Sequence, residues 1–382
     1  MRQIKILAVN DPAVNAYLHE ADNGITKMWE EQNHMKVIID IVEWGLYKDT
    51  LDQVLQDHDG TYDIIMNPGN FWLPELAEGK LIVPLDRYLT DYDLDGIMDS
   101  ILDEMRYNDR IYMLPSFSDG HILFYRKDIL KDKGIIEDKL SISIQELLEL
   151  VQRLENDKPV IALKSDVSEI LLDFIPFLWE RGVELTDKPP YFSDEEKTLL
   201  ALRDYLAFRP YCPNGIEQYG NQEVKKAIQK GEVAIGISWG GQAADILNPK
   251  ENPYAENIDF MTYENPCNTT WGFAVASNSR EKEASVSYLK FITNEANDKQ
   301  VGRISGGPVR KTTYQAADEQ HFCPWYDVQF EMLKKARNIP KSVEFAQISF
   351  RLYSLLHHLF TGKITSEQFA ETCKKDQGLE EK

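Results

Sequence analysis

Short apolar runs alternate with amphipathic segments through the first third of this chain. Their spacing predicts strands over residues 4–9, 36–42 and 63–66, and helices over residues 13–32 and 47–57. Strands that alternate with helices are typical of βαβ units, in which the strands form a mostly parallel sheet. The pattern therefore predicts an α/β fold.

The third of these strands ends abruptly. Its apolar residues 64–66 are followed by Asn67-Pro68-Gly69-Asn70-Phe71-Trp72. Pro74 then suits the first turn of a helix, and Gly79 suits its end. In an open α/β sheet, ligands bind beyond the carboxyl ends of the strands, so residues 67–72 are candidates for a ligand-binding loop. The alternative is a plain connection with Trp72 in the core.

The middle of the chain changes character. Apolar runs at residues 111–114 and 122–125 are separated by a polar segment that begins with Pro115. Because proline has no N–H to donate, we expect the chain to leave one sheet here and enter another. Residues 141–252 are mainly helical, with Ser193 as the expected N-cap of one helix. Further strands are predicted over residues 233–237 and 271–276, and a helix over residues 281–294.

The chain is acidic: 63 Asp and Glu against 42 Lys and Arg give its 382 residues a formal charge of −21. This excludes nucleic-acid binding, which needs a basic face to meet phosphates, and disfavours an anionic membrane surface. No apolar run reaches the roughly 18–20 residues that span a bilayer. The N-terminal apolar run is too short for a secretory signal, so we expect a cytosolic protein or an exported one whose signal was removed.

Residues 236–240, Gly-Ile-Ser-Trp-Gly, fit the G-x-S-x-G nucleophile elbow of α/β-hydrolases and follow a predicted strand. Acids and histidines that could complete a Ser-Asp-His order are Asp245, Asp259, His321, His357 and His358. However, no HGG-type oxyanion loop lies upstream, and the last two histidines fall in an amphipathic helix. We expect the chain not to be an enzyme and keep a serine hydrolase that uses Ser238 as an alternative.

The segment Asp91-Tyr92-Asp93-Leu94-Asp95-Gly96 matches the first half of a calcium-binding EF-hand loop, with Asp99 at the ninth position. The twelfth position needs a bidentate Glu and is Leu102. We interpret the segment as an acidic surface turn and keep calcium binding at Asp91, Asp93, Asp95 and Asp99 as an alternative. The histidines and four cysteines lack zinc-ligand spacing, so we expect no cofactor, and free thiols rather than a disulfide.

Several tryptophans lie next to small, polar or turn residues: Trp44, Trp72, Trp179, Trp239 and Trp271. An indole can cover the apolar C–H face of a sugar ring, while nearby carboxylates and amides bind its hydroxyls. Each single tryptophan is more often a core residue than a ligand platform. Their repeated placement at strand ends favours a shared role in ligand binding.

Six segments, taken in chain order, match the pattern of one protein family: TYDIIMNPGNFWLPELAEGKLIVPLD, RIYMLPSFSDGHILFYRKDIL, KGEVAIGISWGG, WGFAVASNSREKEASVSYLKFITNE, GGPVRK and LFTGKITSEQFAETCKK. Together they resemble the extracellular solute-binding proteins of ABC importers, in particular the sugar-type group called family 1. The resemblance covers most of the chain.

The resemblance implies a two-lobe, type II periplasmic-binding-protein-like fold with hinge strands and a ligand cleft between the lobes. The N-terminal lobe would take residues 1–112 and 271–308, and a more helical C-terminal lobe residues 113–270 and 309–382. The implied ligand is a mono- or oligosaccharide, which hinge closure captures because the ligand contacts both lobes only in the closed form. The implied partners are the permease subunits of an ABC transporter, and we expect a monomer.

Carried over by position, the implied ligand-binding residues are Asn10, Asp11, Glu43, Trp44, Asn67, Asn70, Trp72, Phe117, Asp119, Trp239, Gly240, Trp271 and Arg310. The acidic ones among them keep a polyamine or other small polar solute open as the ligand. The family's signal peptide and lipid-anchor cysteine are missing here. We therefore expect a trimmed lipoprotein at the extracellular face of the cell membrane or in the periplasm, or a cytoplasmic protein if this N-terminus is native.

Overall fold

The computed structural model describes residues 2–18, 24–56, 60–133, 139–154 and 159–375. The chain divides into two compact units. The first unit comprises Met1–Asp119 and Thr269–Pro324, and the second comprises Gly120–Asn268 and Trp325–Lys382. Compared with the predicted lobes, the first unit gains residues 113–119, 269–270 and 309–324.

Eleven strands are described. They are β1 (Gln3–Val9), β2 (Lys36–Val42), β3 (Ile64–Pro68), β4 (Arg106–Tyr107), β5 (Arg110–Ile111), β6 (Met113–Arg126), β7 (Ser141–Ile142), β8 (Ile161–Ala162), β9 (Ile235–Trp239), β10 (Ile258–Tyr263) and β11 (Asn268–Val275).

Eighteen α-helices are described. They are α1 (Pro12–Tyr17), α2 (Ile25–Asn33), α3 (Trp44–Gln56), α4 (Leu73–Glu78), α5 (Asp99–Glu104), α6 (Lys127–Asp132), α7 (Ile144–Leu154), α8 (Ile170–Glu180), α9 (Glu195–Leu206), α10 (Asn221–Gln229), α11 (Ala243–Ile246), α12 (Lys282–Ile292), α13 (Glu295–Ser305), α14 (Lys311–Gln315), α15 (Ala317–Phe322), α16 (Tyr326–Lys335), α17 (Val343–Phe360) and α18 (Ser366–Lys375).

The sheet of the first unit has the order β2-β1-β3-β11-β6. β1 runs parallel to β2 and β3, as the alternation of strands and helices predicts, while β11 pairs antiparallel with β3. All five residues of β3 are buried, which fits an apolar strand covered on both faces. The carboxyl end of β3 therefore delivers residues 67–72 to the edge of the sheet where ligands bind in such folds.

In the second unit, the later residues of β6 form antiparallel pairs with β9 and with β10. β8 runs parallel to β9, and β7 runs parallel to β10. Helices α7 and α8 supply much of the apolar packing; all residues of α8 from Ile170 to Trp179 are buried. The helical stretch predicted from residue 141 onward is thus packed on a small mixed sheet.

The chain passes from the first unit to the second shortly after Pro115, as the sequence predicts, but Pro115 itself does not end a strand. β6 runs without interruption for 14 residues through Pro115, and the boundary between the units falls inside it, between Asp119 and Gly120. The pairs of β6 with β9 and β10 begin only at His121, so the part of β6 that contains Pro115 lies outside both of these pairings. An edge strand tolerates a proline because one side of it needs no ladder hydrogen bonds.

Two helix predictions are also corrected. The helix predicted over residues 13–32 is two helices, α1 and α2, and residues 19–23 of the predicted range lie outside the described residues, as does Asp57 of the next predicted helix. Asp194, not Ser193, caps α9 by accepting a hydrogen bond from the Lys197 N–H at 3.0 Å. Ser193 Oγ instead accepts from the Glu184 N–H at 2.9 Å.

Within the described ranges, no helix is both long and apolar enough to cross a membrane. The four cysteines all fall within these ranges and form no disulfide.

Candidate functional site

Five aromatic side chains of the first unit form what we call the aromatic corner: Trp44, Tyr47, Trp72, Phe117 and Trp271. One wall of the corner is nearly planar. Trp72 stacks on Trp44 at 14° with 5.9 Å between ring centroids, and on Tyr47 at 17° with 6.1 Å. These three rings therefore lie parallel to one another.

The second wall of the aromatic corner stands at a right angle to the first. The Trp271 ring lies at 78° to Trp44 and at 85° to Trp72, with centroid distances of 5.5 and 6.1 Å. Phe117 lies parallel to Trp271, at 10° and 6.4 Å. Edge-to-face and offset-stacked contacts of this kind are favourable because the positive ring edge meets the negative face.

Neighbouring elements of the first unit hold the aromatic corner in place. Trp72 directly precedes α4, and Trp44 is the first residue of α3. Tyr47, one turn further along α3, donates its hydroxyl to the backbone oxygens of Leu7 at 3.1 Å and Met66 at 2.5 Å. These bonds tie α3 to β1 and β3, so the stacked wall is anchored to the sheet.

The members of the aromatic corner differ in exposure. Trp44 is 46% exposed, whereas Trp72 is 5% exposed and Phe117 is 1% exposed. Trp271 is partly buried. Trp44 is thus the ring with a broad free surface, and the buried rings behind it fix its orientation. The placement of Trp72 fits both readings of the loop, since the ring is buried and also supports an exposed indole.

Polar groups border the aromatic corner on the side of Trp44. Asn10 Nδ2 donates to Glu43 Oε1 at 2.9 Å, and both residues are exposed. Asp11 caps α1 by accepting from the Ala13 N–H at 2.8 Å. Desolvation raises the pKa of Asp11 to about 7, against the opposing effect of the Ala13 hydrogen bond. Amide and carboxylate groups of this kind are suited to bind hydroxyls.

The two asparagines of the 67–72 loop are fully buried. Asn67 Nδ2 approaches Met113 Sδ at 3.1 Å and the Pro68 carbonyl at 3.3 Å. Its Oδ1 has no hydrogen-bond partner among the residues that the structure describes. Asp119 is also buried, at the end of the first unit. These three predicted site residues are placed in the interior, unlike Asn10 and Glu43.

Arg310 is held by contacts inside the first unit. It is 3% exposed, its Nε donates to the Thr293 carbonyl at 2.9 Å, and its Nη1 donates to Asp93 Oδ2 at 3.3 Å. The backbone N–H of Arg310 also donates to Asp298, at 3.2 Å. The guanidinium therefore joins the segment before α14 to the acidic segment of residues 91–99.

Cationic side chains pair with most carboxylates of the acidic segment, residues 91–99. Asp91 pairs with Lys290, Asp93 with Arg310, and Asp99 with Lys311, while Lys311 also donates to the Asp95 carbonyl. No group of three or more His, Cys, Asp or Glu side chains in the described ranges could hold a metal ion. Three of the four carboxylates thus have a cationic partner, those of Asp91, Asp93 and Asp99, which favours the acidic surface turn, with calcium binding as the alternative.

In the second unit, Trp239 lies where two parallel strands end. It is the last residue of β9, and Lys164 follows shortly after the neighbouring parallel strand β8. Trp239 Nε1 donates to Glu169 Oε2 at 3.0 Å, and the other oxygen of Glu169 accepts from Asn221 Nδ2 at 3.1 Å. The carboxyl ends of β8 and β9 thus gather polar groups around one indole.

A buried charged cluster lies beside Trp239. Lys164 Nζ lies 2.5 Å from Asp173 Oδ1, and the backbone N–H of Lys164 donates to Asp173 Oδ2 at 2.7 Å. His121 Nε2 lies 3.0 Å from Asp173 Oδ1. Burial by itself would raise the pKa of Asp173, but the Lys164 ammonium and His121 hold that pKa below its usual range. Desolvation and the same ammonium lower the pKa of His121.

These polar residues were missed by reasoning from the sequence. Lys164 follows the apolar run of residues 160–163, which is the same strand-then-polar signal that marked residues 67–72. β8 is only two residues long, too short to show a strand pattern.

Trp179, by contrast, is a core residue of the second unit, with the Arg337 guanidinium 4.7 Å from its ring.

The residues on either side of Trp239 have structural roles. Gly240 approaches Gln329 so closely that a Cβ would lie 2.5 Å from its Oε1. Ser238 is fully buried, and its Oγ has no hydrogen-bond partner in the described part of the chain. Trp239 pairs with His121 across the ladder and Ser238 with Ile122, so Ser238 and His121 point to opposite faces. This geometry gives the hydrolase alternative no support.

Comparison with known proteins places these features in context. The family model described as bacterial extracellular solute-binding protein matches residues 9–299. A mannitol-binding protein of Pseudomonas aeruginosa is 21% identical over 94% of this chain and 89% of its own length. The maltose-bound MalE3 of T. maritima aligns with a TM-score of 0.84 and 18% identity, over 98% of this chain and 99% of its own.

A further solved structure is that of an ABC transporter solute-binding protein from Agrobacterium vitis S4 with bound D-mannitol. It aligns with a TM-score of 0.81 and 17% identity, over 98% of this chain and 97% of its own. Similarity at this level of identity shows a shared fold.

Proposed function

The chain belongs to the family of bacterial extracellular solute-binding proteins, and we propose that it binds a sugar or sugar alcohol outside the cell and delivers it to the permease of an ABC importer. The ligands named for the similar proteins, mannitol and maltose, support this ligand class. We further propose that it works as a monomer without a cofactor and catalyses no reaction.

The observation that carries the proposed ligand class is the exposed indole of Trp44 within the aromatic corner. Trp44 is 46% exposed and is backed by the nearly parallel ring of Trp72. A sugar or an extended polyol has an apolar C–H surface that such a ring covers, and hydroxyls that need polar partners. Asn10 and Glu43 provide an amide and a carboxylate at the border of the corner.

A thermal-shift panel tests the proposal. The panel contains D-mannitol, ribitol, tagatose and maltose, with spermidine and a mixture of amino acids as competing classes. A ligand that binds only the folded state raises the melting temperature, because binding adds to the free energy of unfolding. We expect at least one sugar or polyol to stabilise the protein and to change its tryptophan fluorescence.

The competing outcomes are distinct. Stabilisation by spermidine with all saccharides silent would select the cation-binding alternative, which the carboxylates of Glu43 and Asp11 would then serve. Stoichiometric labelling of Ser238 by an active-serine phosphonate would select the hydrolase. Either result would overturn the proposal.

A further inference from the structure

The indole of Trp239 is held by side chains from three different segments of the second unit. Lys164 Nζ lies 4.0 Å from the ring centroid, within the range of a cation–π contact. Glu169 accepts the hydrogen bond from the indole Nε1 at 3.0 Å. The His121 ring lies 4.6 Å from the indole, tilted by 43°. One contact is with the ring face and another with its polar edge.

The charges behind this arrangement are costly to bury. The Lys164 side chain is completely buried, and that of Asp173 is 2% exposed. A buried ion pair is weak evidence for stability, because well-packed apolar residues of the same volume often serve as well. The pair is therefore better explained by the groups that its geometry fixes. Lys164 Nζ lies over the face of Trp239, and Asp173 contacts His121, whose ring also lies beside that indole.

We propose that Lys164, held by Asp173, is a positioning residue that fixes the orientation of the Trp239 ring for ligand binding. The inference rests on the proposed function and adds to it that Trp239, which the family resemblance implies as a ligand-binding residue and which is 5% exposed, contacts the sugar or polyol. A ring that is already oriented loses little side-chain freedom on binding, so more of the contact energy appears as affinity. Glu169 and Lys164 have complementary roles. Glu169 holds the polar edge of the ring, and Lys164 fixes the plane in which the ring lies.

The test removes both charges together, so that no unpaired charge is left in the core. The variant is Lys164→Met/Asp173→Asn, and its matched control is Lys225→Met/Asp245→Asn. The control removes another Lys–Asp pair of the second unit, one whose side chains are 13% and 46% exposed. If the first variant does not fold, Lys164→Gln/Asp173→Asn replaces the charges by two amides that can bond to each other.

The readout is fluorine NMR of the full chain labelled with 5-fluorotryptophan, which gives one signal for each of the seven tryptophans. Trp239→Phe identifies the Trp239 signal. We expect that signal to broaden or split in the Lys164 variants and to stay sharp in the control. We also expect the affinity for D-mannitol, or for the strongest binder of the panel, to fall about tenfold in the Lys164 variants alone.

A sharp, unshifted Trp239 signal together with unchanged affinity would overturn the inference. A purely structural role is excluded by comparison of melting temperatures, since lost stability alone moves neither the Trp239 signal nor the affinity of the folded protein. If the wild-type chain binds no saccharide, the proposed function fails. The NMR comparison still decides whether Lys164 orients Trp239.

Discussion

Pro68 lies directly opposite Trp271 in the antiparallel pair of β3 and β11. The backbone register of two buried strands therefore sets the distance between the 67–72 loop and the perpendicular wall of the aromatic corner. The sheet, rather than a loose loop, therefore holds the aromatic corner in place. On this basis, substitutions of exposed rings should affect ligand binding, and substitutions of buried rings should affect stability.

Substituting Trp44 should weaken ligand binding with little loss of stability. Trp44 is half exposed, so Trp44→Ala removes the surface that we propose contacts the ligand without opening a core cavity. We expect the affinity for the bound saccharide to fall about ten- to hundredfold, because tryptophan is enriched among the few residues that carry most of a binding free energy. Isothermal titration calorimetry measures the affinity.

Leu46→Ala is the matched control for Trp44→Ala. Leu46 lies two residues further along α3 and is 63% exposed, but it is not part of the aromatic corner. Its substitution should leave the affinity unchanged. Equal losses in the two variants would show that α3 as a whole, rather than the indole, supports binding.

Trp72 should behave in the opposite way. It is 5% exposed and stacks on both Trp44 and Tyr47, so Trp72→Ala leaves a large cavity. We expect the free energy of unfolding in urea to drop by about 3–5 kcal/mol. Trp72→Phe, which keeps an aromatic ring, should lose less than half of that. A stable Trp72→Ala protein would mean that the stacked wall does not support the fold.

Gly69 should tolerate no side chain. A Cβ at this position would lie 2.5 Å from the backbone oxygen of Glu104 and 2.9 Å from Met105 Cε. Gly69→Ala must displace the 67–72 loop, and we expect a loss of about 1–3 kcal/mol in the free energy of unfolding.

Gly45 is the control for Gly69. A Cβ there would meet no atom within 4 Å, and Gly45 is the second residue of α3. Gly45→Ala should be neutral or stabilising by up to about 1 kcal/mol, because alanine favours the helix. The same urea titration compares both variants, and a neutral Gly69→Ala would contradict the close approach of Glu104.

Asp11 should make stability depend on pH. Desolvation raises the pKa of Asp11 from 3.8 to about 7 in the folded chain. Between these values the folded state keeps a proton that the unfolded state has lost. The free energy of unfolding should therefore fall as pH rises, by about 1.4 kcal/mol per pH unit from this one group.

Asp11→Asn isolates this effect, since asparagine caps a helix as well as aspartate does but does not titrate. The variant should become the more stable protein as pH rises from 4 to 7 and keep a constant advantage above that. A difference between the two proteins that does not change with pH would show that Asp11 has an ordinary pKa.

The α/β class and the two-lobe, type II periplasmic-binding-protein-like fold could be predicted from the sequence, and they are confirmed. The strands β1, β2 and β3 could be predicted because each coincides with a short apolar run in the sequence. The continuity of β6 could not be predicted. Whether Pro115 breaks a strand depends on the strands that pair with it, and these are far away in sequence. The N-cap of α9 was displaced by one residue because Ser193 and Asp194 are both good caps.

The aromatic corner could be predicted only in part. Trp44, Trp72 and Trp271 stood out beside turns and strand ends, but their mutual angles depend on the β3–β11 register. The cluster of Lys164, Asp173 and His121 could not be foreseen, because its members are separated by up to 52 residues and an isolated lysine in a sequence suggests a solvated side chain.

The pairing of β3 with β11 has a consequence for synthesis of the chain. About 200 residues separate the two strands, and a ribosome adds roughly 5–20 residues per second, so β3 waits about 10–40 s for its second neighbour. During that time β3 presents an unpaired apolar edge, which is the kind of edge that recruits other chains. The growing polypeptide therefore needs protection until β11 has been made, an interval in which residues 120–268 of the second unit are synthesised.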